Sequence, residues 1–119
     1  MNKAVPQKLL FVCSQNKFRS RTAEELYRGR HDIEVRSAGV ARDARIPLTF
    51  DLLEWADLVF VFERRQRNII HKHFPQIYAQ KKIICLYVPD EFDYMSQELV
   101  DLLTERLERY LGKPITGVH

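Results

Sequence analysis

Within residues 9–27, "LLFVCSQNKFRSRTAEELY", three side chains are spaced so that they can act on one another: Cys13 at the head of a loop, and Arg19 and Ser20 at its tail. The chain leaves an apolar run at Val12, turns through residues 14–18 and enters a helical pattern near Arg19 or Ser20. Such a turn converges several backbone N–H groups and a positive helix end on one anion. The cradle of Ser14, Gln15, Asn16, Lys17 and Phe18 suits a phosphate-sized ligand. Arg19 adds a charge-assisted contact able to span two equatorial oxygens. At the base of the cradle Cys13 meets the helix dipole and the guanidinium, surroundings that favour thiolate over thiol. Ser20 can donate its hydroxyl to that sulfur, first as nucleophile and later as leaving group. The spacing fits one chemistry: a sulfur attacking the phosphorus of an ester whose oxygens the loop holds.

Such a loop needs a rigid frame. Four strand-sized apolar runs are present, "KLLFV", "IEVR", "LVFVF" and "KIICLYV". Helical patterns lie between and after them. Residues 20–30 place Ala23, Leu26 and Tyr27 on one stripe, and "TFDLLEWA" reads as a short helix with Thr49 as its N-cap. "RRQRNIIHKHF" turns Ile69, Ile70 and His73 or Phe74 inward and stops at Pro75. In "SQELVDLLTERLERYLG", Leu99 or Val100, Leu103, Leu107, Tyr110 and Leu111 recur at helical spacing, with Ser96 as cap and Gly112 as terminator. Strands alternating with helices predict a single α/β domain over residues 1–119, with a four-stranded parallel sheet and helices on both faces. Right-handed crossovers give the order 2-1-3-4. Ligands then bind beyond the carboxyl ends of the strands, where the order reverses, and Cys13 ends the first strand.

Composition narrows the class. A chain of 119 residues that is 45% hydrophobic supports one core. No run approaches the roughly 18 apolar residues of a membrane span, and "MNKAVPQK" has no signal-peptide core, so a cytoplasmic protein with no membrane partner is expected. The net charge of +3, with both signs interleaved, suits an anionic ligand and not nucleic acid. Two cysteines make no disulfide framework.

The stretch "FVCSQNKFRS" resembles the signature of the low-molecular-weight protein tyrosine phosphatases: Cys, five residues, Arg and Ser after an apolar strand. The likeness continues in order through "RSAGV", "ARIPLTFDLLEWADLVFVFE" and the late acid loop "YVPDEF". It implies a phosphomonoester hydrolase with no cofactor and no metal, acting on a phosphorylated protein or a small aryl phosphate through a phosphocysteine. It implies Cys13 as nucleophile, Arg19 as clamp, Ser20 as thiolate partner, and Asn16 as holder of the strained loop with help from Ser37. Asp90 falls on the general acid, with Asp93 as its rival. Four departures stand out. Gln15 replaces the usual glycine, Phe18 replaces a second cysteine, and Glu91 replaces the proline after the acid. The connection from Gly39 to Thr49 is short and leaves the pocket open on that side, with Phe92 and Tyr94 expected on the rim beside Lys17 and Phe18.

Other residues have plainer readings. Cys85, in "IICLYV", reads as a buried hydrophobe. His71 and His73 stand two apart on a helix, which points their rings away from each other and from a shared metal. "ERRQR" reads as a solvated basic face, with orientation of an acidic substrate as the alternative. A thiol-dependent arsenate reductase would need a second cysteine near Cys13, yet Cys85 falls two strands away, roughly 10 Å, beyond the about 7 Å between Cα atoms that a disulfide spans. A non-catalytic phosphate-binding or phosphoprotein-binding module is the remaining alternative.

Overall fold

Strand β1 (Gln7–Cys13) is flanked on both sides, and its residues are buried from Leu9 to Cys13. In the computed structural model, which describes residues 5–114, it pairs in parallel with β2 (Ile33–Gly39) and with β3 (Leu58–Val61); β4 (Lys82–Cys85) lies outside β3. The order is β2-β1-β3-β4, as right-handed crossovers predict. Residues 1–4 and 115–119 of the expected domain lie outside the described residues.

Alternation along β1 divides the core in two. Leu9, Phe11 and Cys13 face helices α1 (Arg19–Tyr27) and α5 (Gln97–Leu111), whereas Leu10 and Val12 face α2 (Phe50–Trp55), α3 (Arg64–His73) and α4 (Pro75–Gln80). Leu99, Leu103, Leu107 and Leu111 form the buried stripe of α5, each worth about 1.5–3 kcal/mol of burial. Tyr110, expected on that stripe, is largely exposed but keeps an edge-to-face contact with Phe60 at 5.7 Å. Thr49 and Ser96 cap α2 and α5 by accepting from Leu52 N and Leu99 N. Gly112, at φ 72°, ends α5 in a conformation that a side chain would strain. The Tyr27 hydroxyl donates to Gly112 O, and burial pushes its pKa up to about 12.

Two elements differ from expectation. The segment after Pro75 forms α4, because proline at the first helical position needs no N–H partner there and begins a helix as readily as it ends one. Of the residues expected inward around α3, Ile70 is buried and Phe74, the alternative to His73, packs against the same core, while His73 itself is exposed. β4 stops at Cys85, since Tyr87 takes a left-handed backbone at φ 56°. Beyond it the chain stays attached to β3 through Leu86 N to Val61 O and Val88 N to Phe62 O, both 2.8 Å. The carboxyl edge therefore receives three segments: the turn after β1, the start of α3, and the arm after β4.

Candidate active site

The loop after Cys13 is framed by the short 40–48 connection. Cys13 O accepts from Val40 N at 2.9 Å, Ser14 O from Ala41 N at 3.0 Å, and Gln15 O from Arg45 N at 2.9 Å. Asn16 O accepts from Arg45 Nε at 2.9 Å. A trans peptide carries its N–H opposite its C=O, so four carbonyls held outward turn the N–H groups of residues 14–17 inward. Asn16 N accordingly donates to Cys13 Sγ at 3.2 Å. Close approach of connection and loop requires Gly39, where a Cβ would lie 2.5 Å from Ser14 O and 3.0 Å from Asn16 N.

Asn16 is fully buried in the left-handed region at φ 59°, which asparagine tolerates better than most residues. Its Nδ2 donates to Ser20 Oγ at 2.7 Å, and Ser20 Oγ lies 2.9 Å from Cys13 Sγ. The hydroxyl oxygen is occupied as an acceptor, so its hydrogen is free for the sulfur. Helix α1 begins at Arg19 with no side-chain cap from Phe18, which leaves first-turn N–H groups for an anion.

Arg19 is 2% exposed, and its Nη1 donates to Glu63 Oε2 at 2.6 Å and to Val88 O at 2.8 Å. Phe62 lies beneath the guanidinium at 5.9 Å. Among the described residues Nη2 has only Asp90 Oδ2 near it, at 3.8 Å, and Nε has no partner. One edge of the fork is thus fixed by protein and the other faces the cavity. That cavity, about 220 Å³, is lined by Cys13, Gln15, Lys17, Phe18, Arg19 and Asp90. No residue of the 40–48 connection lines it.

Several expected residues stand elsewhere. Ser37 is buried in β2, but its hydroxyl donates to Glu24 Oε1 at 2.5 Å rather than to Asn16. Phe92 packs against the α1/α5 core, and Tyr94 stacks under Arg21 at 4.4 Å, so neither lines the cavity; the two aromatics are spent on attaching the arm to the body. Asp93 also lies off the cavity, its carbonyl accepting from Ser96 N. Ser14 holds the loop to α3, its hydroxyl accepting from Arg65 Nη2 at 2.8 Å and Gln66 Nε2 at 3.2 Å. Gln15 Nε2 donates to Asp43 Oδ1 at 3.4 Å. Cys13 and Cys85 are both free, and Cys85 is separated from β1 by the whole of β3. His71 stacks on Tyr78 at 4.3 Å while His73 is exposed.

Glu63 and Gln66 went unforeseen. The buried Gln66 accepts from Phe62 N and Glu63 N, and with Glu63 it forms a reciprocal capping box at the start of α3. The signal was there: an E-x-x-Q pattern directly after a strand places both residues on the edge where Cys13 stands.

No protein-family model matches the chain, and no curated protein matches it by sequence. Solved structures do. YwlE from Bacillus subtilis, solved as a mutant, is 27% identical over 90% of this chain and 99% of its own, with a TM-score of 0.64. The YwlE arginine phosphatase of Geobacillus stearothermophilus is 22% identical over 87% and 92%, also at 0.64. SP-PTP, a low molecular weight protein tyrosine phosphatase from Streptococcus pyogenes, shares 16% identity over 88% and 93%, at 0.70.

Proposed function

We propose that this chain, which has the fold of the low-molecular-weight protein tyrosine phosphatases, is a cysteine-dependent phosphomonoester hydrolase acting on aryl phosphates such as phosphotyrosine. The observation that carries the reading is the convergence of Cys13, Arg19 and Asp90 on one cavity whose loop turns its N–H groups inward. In the first step the Cys13 sulfur attacks phosphorus, the bond to the leaving oxygen breaks, and Asp90 gives that oxygen its proton. In the second step Asp90 takes a proton from water, whose oxygen attacks phosphorus and releases the sulfur. The Ser20 hydroxyl and Asn16 N–H steady the sulfur in both steps. The free edge of Arg19 and the inward N–H groups hold the equatorial oxygens, where charge-assisted contacts are worth most in a desolvated site.

Asp90 is favoured over Asp93 because it lines the cavity beside Arg19. An aryl leaving group suits Phe18, 41% exposed on the cavity wall, and Lys17 beside it disfavours a cationic one such as the guanidinium of phosphoarginine. The separation of Cys85 from β1 speaks against a reductase relay. Among the described residues no helix is long and apolar enough to cross a membrane. The same reading places the protein in the cytoplasm, with a phosphorylated protein or small aryl phosphate as substrate and neither nucleic acid nor cofactor.

The test is steady-state hydrolysis of a phosphotyrosine peptide and an activated aryl phosphate, without metal, by the native protein and Cys13→Ser. Loss of at least about 10⁴-fold in the variant, with its fold retained, is expected of a removed nucleophile. Native protein that binds phosphate yet turns over neither compound would point instead to a recognition module.

A further inference from the structure

The charges around the cavity mouth are unevenly committed. Three acids are engaged, Glu63 on Arg19, Asp43 on the Gln15 amide, and Asp90 toward Arg19, while the exposed Glu91 beside Asp90 has no partner among the described residues. The cations are not so engaged. Arg45 reaches the loop from the 40–48 connection and Arg65 from the start of α3. Each places one donor on it, at Asn16 O and at Ser14 Oγ. Both residues are exposed, and among the described residues neither they nor Lys17 pairs with a carboxylate. A guanidinium has five N–H donors, so each arginine is aimed by one contact and keeps others for a partner.

We infer that Arg45 and Arg65, with Lys17 on the loop they hold, form a basic collar that selects phosphopeptides carrying acidic side chains beside the phosphorylated residue. The inference deepens the hydrolase reading and rests on it. Tethering gives the collar its specificity. A free surface arginine loses rotamer entropy on pairing, whereas one already bonded to the loop has lost much of it beforehand. The two arginines come from different elements and touch the loop at different residues, so the collar offers a peptide two separate cations beside the phosphate loop. A small aryl phosphate reaches neither.

The experiment compares kcat/KM for phosphotyrosine peptides of one length whose flanking residues are acidic, neutral or basic. Exposed charge pairs contribute modestly, so the acidic peptide should exceed the neutral one by about fivefold, and the basic one should fall below it. About 0.5 M salt should shrink the ratio, because the pairs are solvent-exposed. Arg45→Gln and Arg65→Gln should each lower it part-way, and together bring it near one. Loosening of the loop slows every peptide alike and cancels in the ratio. A native ratio near one overturns the collar, and a ratio that survives both substitutions overturns its assignment to these arginines. The same comparison made as binding affinities to Cys13→Ser separates the two proposals. Preference for the acidic peptide without hydrolysis by the native protein upholds the collar and sinks the hydrolase reading; equal affinities sink the collar itself.

Discussion

The phosphate loop and the acid arm meet across one cavity but are built in opposite ways. Residues 13–19 are held from every side: four carbonyls on the connection, Ser14 on α3, Asn16 on Ser20, and Arg19 on Glu63 and Val88. The arm from Leu86 to Tyr94 is anchored at its root, where Leu86 and Val88 are buried and Arg106 Nη1 donates to Leu86 O and Tyr87 O, but it bends at a strained Tyr87, is held beyond Val88 mainly by two aromatics, and leaves the Asp90 side chain 59% exposed. The difference follows the substrate. A phosphoryl group is the same in every phosphomonoester and rewards a rigid cradle, whereas the leaving group varies and must be met by something able to adjust.

Four substitutions sharpen or break this contrast. Arg19→Lys, on the rigid side, keeps the charge but loses the fork that joins Glu63, Val88 and the ligand. We expect kcat/KM for any aryl phosphate to fall by about 10²–10³-fold, the scale of one lost oxyanion donor. A loss below tenfold would mean the clamp needs only charge. Asp90→Asn, on the yielding side, should act selectively, lowering turnover of unactivated phenyl phosphates by about 10²-fold or more and of a nitrophenyl ester far less. Asp93→Asn should change neither, and equal losses for both esters in Asp90→Asn would remove Asp90 as leaving-group acid. The smallest effect belongs to Tyr87→Gly, which removes left-handed strain at an exposed side chain. Strain of about 1–2 kcal/mol set against glycine's entropy cost of roughly 0.5–1 kcal/mol predicts a net gain below about 1 kcal/mol in denaturant unfolding. A loss of stability would show that the bend is held by the tyrosine ring.

The same contrast decides what was legible in the sequence. The loop, its strand and its helix were readable because Cys13, Arg19 and Ser20 are local, and the sheet order followed from crossover geometry. Helix α5 declared itself through four leucines, a serine and a glycine. Contacts across the fold were hidden. Glu63 meets Arg19 from 44 residues away and Gln66 meets Ser14 from 52, separations that no periodicity encodes. Ser37 faces Glu24 because of where α1 crosses β2, a packing detail. Phe92 and Tyr94 were misplaced because "EFDY" has no period, so nothing in it says which side faces the core.

The bond from Arg19 to Val88 O has a dynamic consequence. Val88 stands two residues before Asp90, so the anchor of Arg19 and the proposed proton donor ride on one short lever. A swing of the arm wide enough to release a bulky alcohol after the first step would stretch this tether, and the same swing after hydrolysis of the phosphocysteine would loosen the guanidinium and let inorganic phosphate escape. Departure of the two products would then follow one hinge and one timescale, which exchange broadening of the Arg19 side chain and the 86–94 amides in a single NMR relaxation experiment would reveal.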